Sequence, residues 1–380
     1  MKNQKRRMWL LGVLAAIAAG MSGTAYAQGN EITVGVFNAT TGVYAFGGVP
    51  IQNGMRLAIE EANKAGLPGG AKIRMIEGDT AGDKAQTISL INQFARRDNV
   101  VLMLGPTTSV EAVSGAPVSN ALQVPMLSTS SSAEILDAGP WSFKVGAQAT
   151  QTTGRLGRYA AEKLGVKRAV FVFDQSNEGY IAQKNAARDG MKTGGVQVVA
   201  EEGIQASDSN FLPLATKIAS QNPDAVFIAA PAELAANFFV QLLQAGVDPK
   251  TRFLGPASLA SPGFLKTGGK AVENTFLVAD YAVTGSSPLN AAFIEAYKAR
   301  YGMAPDNWAA MGYSTALIGI AAIRAAGPRP EREKIRAQLA KSAKVPVVIG
   351  DGLWTLDAGR QPSYGAAILQ VKNGAFVTAP

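Results

Sequence analysis

From residue 31 onward the apolar positions follow two alternating rhythms. "EITVGVF" (31–37) is a compact run rich in β-branched residues and predicts a strand. "PIQNGMRLAIEEANKAG" (50–66) places Met55, Ile59 and Ala62 on one face, with Pro50 suited to a first turn and Gly66 to a stop, and predicts a helix. "AKIRMIEGD" (71–79) alternates as a strand does, and "DKAQTISLINQFARRD" (83–98) predicts a helix whose Asp83 and Gln86 have the spacing of a capping box. "VVLMLGP" (100–106) predicts a buried strand, "SVEAVSGAPVSNAL" (109–122) a helix and "VPMLST" (124–129) the next strand. The rhythm then restarts, with helices over 153–165, 179–195, 211–223 and 233–246 and strands over 168–174, 196–204, 224–231 and 252–256.

Short strands alternating with helices predict parallel sheets covered on both faces. Two such series predict an α/β chain of two doubly wound lobes. The last third breaks the rhythm. Segments 289–302 and 308–327 predict helices with no strand between them, and "AAILQVKNGAFV" (366–377) predicts a hairpin turning at Asn373-Gly374. Appended helices and a hairpin are what the chain needs to cross back and complete both lobes.

The first residues stand apart from this pattern. Lys2, Lys5, Arg6 and Arg7 precede the apolar stretch 8–21, and "AYA" (25–27) supplies small residues for cleavage, so residues 1–27 are expected to be a signal peptide cut after Ala27. Export to the periplasm follows from that expectation. No later stretch reads as long and apolar enough to span a bilayer. Cleavage removes four of the 36 basic residues and none of the 28 acidic ones, which lowers the net charge from +8 to +4. That mild balance, with no basic block interleaved with aromatics, argues against nucleic acid as a partner. The chain has no cysteine and no histidine. A secreted chain without disulfides needs a large core, and one without histidine lacks the commonest general base and metal ligand.

In a doubly wound sheet the ligand lies beyond the carboxyl ends of the strands. "PTTS" (106–109) follows one predicted strand and the hydroxyl run Ser128 to Ser132 follows the next, both at predicted helix starts. Hydroxyls there cap helices, and the free N–H groups of a helix start also attract an anion. Enzyme readings find little support. No serine sits in a G-x-S-x-G elbow, "GLPGGAK" (66–72) has the wrong spacing for a phosphate loop, and "VGVFNATTG" lacks the dinucleotide glycine pattern. Asp79 and Asp83 suit a turn and a cap better than a metal pair. No catalytic residue, cofactor or metal is expected.

The stretches "ITVGVFNATTGVYAFGGVPIQNGMRLAIEEANKAG", "LGPTTSVEAVSGAPVSNALQVPMLSTSSSAEIL" and "FDQSNEGYIAQ" resemble the periplasmic substrate-binding proteins of branched-chain amino-acid ABC importers, from about residue 31 to the end. The resemblance implies a type I periplasmic binding fold. One lobe would take residues 28–147 plus 279–350, the other 148–278 plus 351–380, with three hinge crossings near 147, 279 and 351. It implies a monomer that closes over a small molecule and then docks on ABC permease subunits in the inner membrane. By position, Ser109 matches the hydroxyl that holds a ligand carboxylate, Ser130 and Ser132 match the contacts of the next loop, and Phe46 matches an aromatic lying over the ligand. Thr108 and Ser131 complete this set, although Ser128, Thr129 and Ser131 also suit turns and caps.

The second lobe departs from the family pattern. Glu178 stands where a tyrosine is usual before Gly179, Ala257 replaces the acid expected after Gly255-Pro256, and Pro231-Ala232 replaces an aromatic. A buried ammonium without a carboxylate is costly. Either Glu178 or Glu233 replaces the lost acid, or the ligand has no ammonium and is a small carboxylate such as a 2-oxo acid or an aromatic acid. The second option is the working expectation, with the ligand's apolar body against Phe46, Tyr180 or Tyr281. Two other readings are a ligand sensor of the same fold and a hydrolase using a cleft serine.

Overall fold

The structure is a computed structural model that describes residues 31–281 and 287–380; the expected signal peptide lies outside the described residues. In the first series β1 (Glu31–Asn38), α1 (Ala45–Ala65), β2 (Lys72–Asp79), α2 (Lys84–Arg96), β3 (Leu102–Leu104), α3 (Ser109–Ala121), β4 (Met126–Ser128) and β5 (Ser142–Lys144) follow in turn. The second series is α4 (Thr153–Glu162), β6 (Arg168–Asp174), α5 (Glu178–Thr193), β7 (Gln197–Ile204), α6 (Leu212–Ser220), β8 (Ala225–Ala229), α7 (Ala232–Gln244), β9 (Arg252–Gly255), α8 (Pro262–Gly268) and β10 (Phe276–Ala279). The closing segment holds α9 (Pro288–Tyr301), α10 (Asn307–Ala326), α11 (Arg332–Ala340), β11 (Val345–Pro346), β12 (Leu353–Leu356), β13 (Pro362–Ser363), β14 (Ala367–Lys372) and β15 (Ala375–Thr378).

The first series makes a parallel sheet in the order β2-β1-β3-β4-β5. The second sheet runs β15-β14-β10-β9-β8-β6-β7, parallel from β10 to β7, with β14 and β15 added antiparallel at one edge. β11, β12 and β13 form a small antiparallel sheet of their own. The inner strands of the two large sheets are buried on both faces, which is why β1 and β8 read as nearly continuous apolar runs.

The core of the first lobe gathers Val34, Leu104 and Phe143 from its sheet with Ile51, Met55, Phe293, Ile320 and Trp354. In the second lobe Phe239 stacks on Phe253 with centroids 4.2 Å apart, and Phe238 and Phe264 pack around them. The hairpin turns at Asn373 and Gly374 with φ of 53° and 70°, the left-handed pair that a two-residue hairpin requires.

Four differences from the sequence expectations have local causes. α1 begins at Ala45 rather than Pro50, so the proline lies inside the helix. The added turn is held by packing: a Cβ on Gly47 would touch the Trp308 ring, and one on Gly48 would lie 1.8 Å from the Ala39 carbonyl oxygen. β5 is three residues long, too short to show a period. α10 is long and apolar enough to cross a membrane, contrary to the expectation that no later stretch is, but 72% of its apolar window is buried and it serves as the central core helix. Finally, residues 351–364 do not pack with the second lobe. Trp354, Leu356 and Tyr364 belong to the first core, and Trp354 Nε1 donates to the Val145 carbonyl at 3.1 Å. The chain therefore enters the second sheet near residue 365, just before β14, rather than near 351.

α1 and α10 cross at two glycines. A Cβ on Gly54 would lie 2.2 Å from the Ala309 carbonyl oxygen, and one on Gly312 would lie 2.0 Å from that of Ile51. Alanine is the better intrinsic helix former by about 1 kcal/mol, yet here it has no space. Gly312→Ala is expected to destabilise the protein by about 2 kcal/mol or more in urea unfolding, as overpacking against backbone does. Unchanged stability would show that the two helices can separate freely.

Candidate ligand-binding site

The hydroxyl-rich loops divide their work. Thr108 caps α3: its amide and its hydroxyl both donate to Glu111 Oε2, at 2.9 and 2.6 Å. Glu111 is buried, and burial raises its pKa against the pull of Thr108, Thr80 and Thr87. Because Thr108 does the capping, Ser109 at the first helical position is left with its hydroxyl 2.7 Å from that of Ser130. In the comb after β4, Ser128 and Thr129 donate to the Pro106 carbonyl at 3.1 and 3.2 Å and so tie their loop to the neighbouring one. The Ser130 amide donates to Ser128 Oγ, and Ser130 Oγ accepts from the Ser132 amide at 3.1 Å. Below the loop, fully buried Lys144 donates to the Ser131 carbonyl at 2.7 Å, with its pKa pushed down to about 8 by burial.

These groups open on a cavity of about 90 Å³ between the lobes, large enough for one small molecule. The first lobe contributes Thr108, Ser109, Ser130 and Ser131, with Phe46 and Trp308 packed edge to face at 5.8 Å. The second contributes Asn177, Gly179, Tyr180, Gln183 and Ala257. The lobes are closed on each other. Tyr44 Oη donates to Asp174 Oδ2 at 3.3 Å, Gln183 Nε2 donates to Ser131 Oγ at 3.4 Å, and a Cβ on Gly179 would lie 2.3 Å from Ser109 Oγ.

This arrangement, a cleft between two doubly wound lobes with a hydroxyl cradle at its strand ends, coincides with a family match. The profile described as "Periplasmic binding protein" matches residues 31–375. The chain belongs to that family. Among curated periplasmic binding proteins it is 26% identical to the Leu/Ile/Val/Thr-binding protein of Salmonella typhimurium over 291 residues, 75% of this chain and 76% of the other. In fold it is similar to a leucine binding protein of Thermotoga maritima, with TM-score 0.85, 23% identity and coverage of 92% and 98% of the two chains. It is also similar to a solute-binding protein of an ABC transporter from Rhodopseudomonas palustris in complex with 3,4-dihydroxybenzoic acid, with TM-score 0.82, 22% identity and coverage of 92% and 96%. The fold is the type I periplasmic binding fold.

Of the residues picked out in the sequence, the structure of this periplasmic binding protein brings Phe46, Thr108, Ser109, Ser130, Ser131 and Tyr180 to the cavity. It does not bring Ser132, Glu178, Glu233 or Tyr281 there. Ser132 is buried behind Ser130. Glu178 starts α5 outside the lining, with Oε2 buried and unpartnered. Glu233 is exposed and lies on the outer rim with Val43, Pro231 and Leu234. Tyr281 points into the first core against Phe293, where burial raises its pKa. The sequence reading passed over Tyr44, Gln183, Trp308 and Asp280, all of which line the cavity.

Gly179 is the point where the second lobe comes nearest to the cradle. Gly179→Ala is expected to hold the lobes apart and weaken ligand binding at least about tenfold, since a methyl group at 2.3 Å cannot be accommodated without movement. Calorimetry beside small-angle scattering checks this, and an alanine variant that closes and binds normally would show that the contact is not limiting.

Proposed function

We propose that this chain is the solute-binding component of an ABC importer, exported to the periplasm by its signal peptide. It holds one small carboxylate between its lobes and delivers it to permease subunits in the inner membrane. The observation that carries the reading is the pair of hydroxyls, Ser109 and Ser130, 2.7 Å apart at the start of α3 and buried in the interlobe cavity. A neutral hydroxyl pair with one hydrogen free beyond the bond between its members, beside a helix N-terminus, suits a carboxylate by hydrogen bonding and dipole attraction. It also allows release, because no lysine or arginine stands among the described residues of the lining to trap the ligand as an ion pair. Trp308 Nε1 is buried without a partner and lines the same cavity, and Phe46, Tyr44 and Tyr180 supply apolar walls.

The family supports a binding role, and the names of similar proteins span amino acids and aromatic acids. Closure by hinge motion follows from the two-lobed architecture. On this reading the protein binds without turnover.

The test is calorimetry on the protein after unfolding and refolding to strip any retained ligand. Ser109→Ala is expected to weaken the bound carboxylate by about 1.5–3 kcal/mol, the range for a hydrogen bond to a charged group. Scattering should show compaction on binding. An unchanged affinity would remove Ser109 from the site, and a tight ligand without compaction would count against hinge closure.

A further inference from the structure

Both acids weighed from the sequence for a ligand ammonium lie outside the cavity, but another acid lies within it. Asp280 follows β10, is 9% exposed, and stands between two cavities: it lines the interlobe one together with Ser109, Ser130, Gln183 and Trp308, and a second one together with Ser287, Gly350 and Gly365. It is the only formally charged side chain among the described residues of the lining, and no described lysine or arginine forms an ion pair with it. Its Oδ1 accepts from Tyr364 Oη at 2.8 Å. Burial raises its pKa, opposed by Tyr364 and the neighbouring Asn307.

The backbone around Asp280 is fixed. Its amide and that of Tyr281 both donate to Asn307 Oδ1, at 2.9 and 3.0 Å, and its carbonyl accepts from the Gly350 amide at 2.7 Å. The same Tyr364 hydroxyl that donates to Asp280 accepts from the Ala147 amide at 3.0 Å. Asp280 is therefore held by three separate segments, its backbone by Asn307 and Gly350 and its carboxylate by Tyr364, rather than by local loop structure.

The charge balance of the closed site then discriminates between ligands. A ligand carrying only a carboxylate would place two negative groups in one water-poor cavity, with buried Lys144 below the cradle but no described cation paired with Asp280, which is unfavourable. A zwitterion brings its own cation. Gln183 Oε1, buried and unpartnered, lines the cavity as a further acceptor.

We propose that Asp280 receives an ammonium group of the ligand, so that the site selects small amino acids over the matching 2-oxo acids and over aromatic acids. The inference rests on the carboxylate reading of the Ser109–Ser130 pair. It places the specificity-determining acid at the hinge, and Ala257 leaves the position after Gly255-Pro256 neutral. It reverses the expectation drawn from that neutral position alone.

The experiment titrates matched pairs into the stripped protein: leucine against 4-methyl-2-oxopentanoate, and phenylalanine against phenylpyruvate, with benzoate added. The expected result is a preference for the amino acid of roughly 100-fold or more, the scale of an uncompensated buried charge. In Asp280→Asn that preference should collapse below about tenfold, with oxo-acid affinity unchanged or raised because a repulsive charge is gone. A purely structural defect would weaken both members of a pair alike. If Asp280→Asn does not fold, Asp280→Ser, which retains an acceptor for Tyr364, gives the same readout. Oxo acids bound as tightly as amino acids by the wild-type protein, or a preference that survives both substitutions, would overturn the role of Asp280 while leaving the carboxylate site intact. Failure of every one of these carboxylates to bind would remove the carboxylate site and this inference together.

Discussion

One hydroxyl ties the two lobes to a common pivot. Tyr364 Oη takes the amide hydrogen of Ala147, where the chain first leaves the first lobe, and gives its own to Asp280, where the chain returns. Tyr364 itself stands just before the last crossing into β14. All three residues are buried, so each bond forms with little competition from water. Burial and the adjacent carboxylate push the Tyr364 hydroxyl well above the usual range, which keeps it protonated and able to donate. Loss of this link would leave the Asp280 carboxylate buried with one acceptor unmatched. The pivot therefore depends on a polar network that is satisfied only when all three crossings are in register.

The cradle depends on a similar division of roles. A hydroxyl can bind a ligand only if the fold does not already use it. Thr108 and Glu111 cap α3 between them, and Ser128 and Thr129 tie the adjacent loop to Pro106. That leaves Ser109 and Ser130 paired with each other; Ser130 Oγ also accepts from the Ser132 amide, so of the two hydroxyl hydrogens one bridges the pair and one is free. Lys144 supports the loop from below through the Ser131 carbonyl. Its lowered pKa reflects burial without a paired carboxylate, so its positive charge is only partly stabilised. A positive charge beneath the cradle and a negative one at Asp280 give the closed cavity a direction, with its anion-seeking end at the serines.

Much of this was legible in local pattern. The β-branched runs and amphipathic helices predicted both parallel sheets, because parallel strands are apolar along their length. The strand-end rule then led to residues 106–109 and the run Ser128 to Ser132, within which the family resemblance singled out Ser109, Ser130 and Ser132. What was illegible had no local signal. Asp280 and Tyr281 are neighbours whose side chains point to opposite sides, as successive residues of an extended segment do. The aromatic ring points to the tyrosine, whereas the extended geometry turns that ring into the core against Phe293 and the acid away from that core, toward Tyr364 and the cavity lining. Trp308 and Gln183 arrive from helices distant in sequence, and no spacing rule could have paired them with the serines. Phe46 was placed by resemblance, since the turn of helix that carries it precedes a proline that ordinarily marks a helix start. The last crossing was misplaced because β11 to β13 are two to four residues long, and their assignment rests on what Trp354 packs against.

The two lobes contribute unequally, and this bears on how closure is driven. The first lobe holds the hydroxyl pair and the Phe46–Trp308 wall. The second presents a glycine to the cradle, with Tyr180 and Ala257 beside it. Its approach to Ser109 is close because Gly179 has no side chain, not because a charge draws it in. Two side-chain hydrogen bonds span the mouth, Tyr44 to Asp174 and Gln183 to Ser131, and at 3.3 and 3.4 Å both are long. The first is buried and the second part-buried, and hydrogen bonds of that length contribute little net stability. A weak latch of this kind leaves the open and closed forms close in free energy, so the balance can be set by whatever the cavity encloses. A ligand shifts such a balance only through contacts it makes in the closed form and lacks in the open one. On the proposed reading those would be contacts to Gly179, Tyr180 and Gln183, which the second lobe brings to the cavity, since the cradle is complete on the first lobe alone. On that same reading, recognition by the serines and closure by the second lobe are thus separate steps, joined at the hinge where Asp280 lines the cavity and Tyr364 holds the crossings.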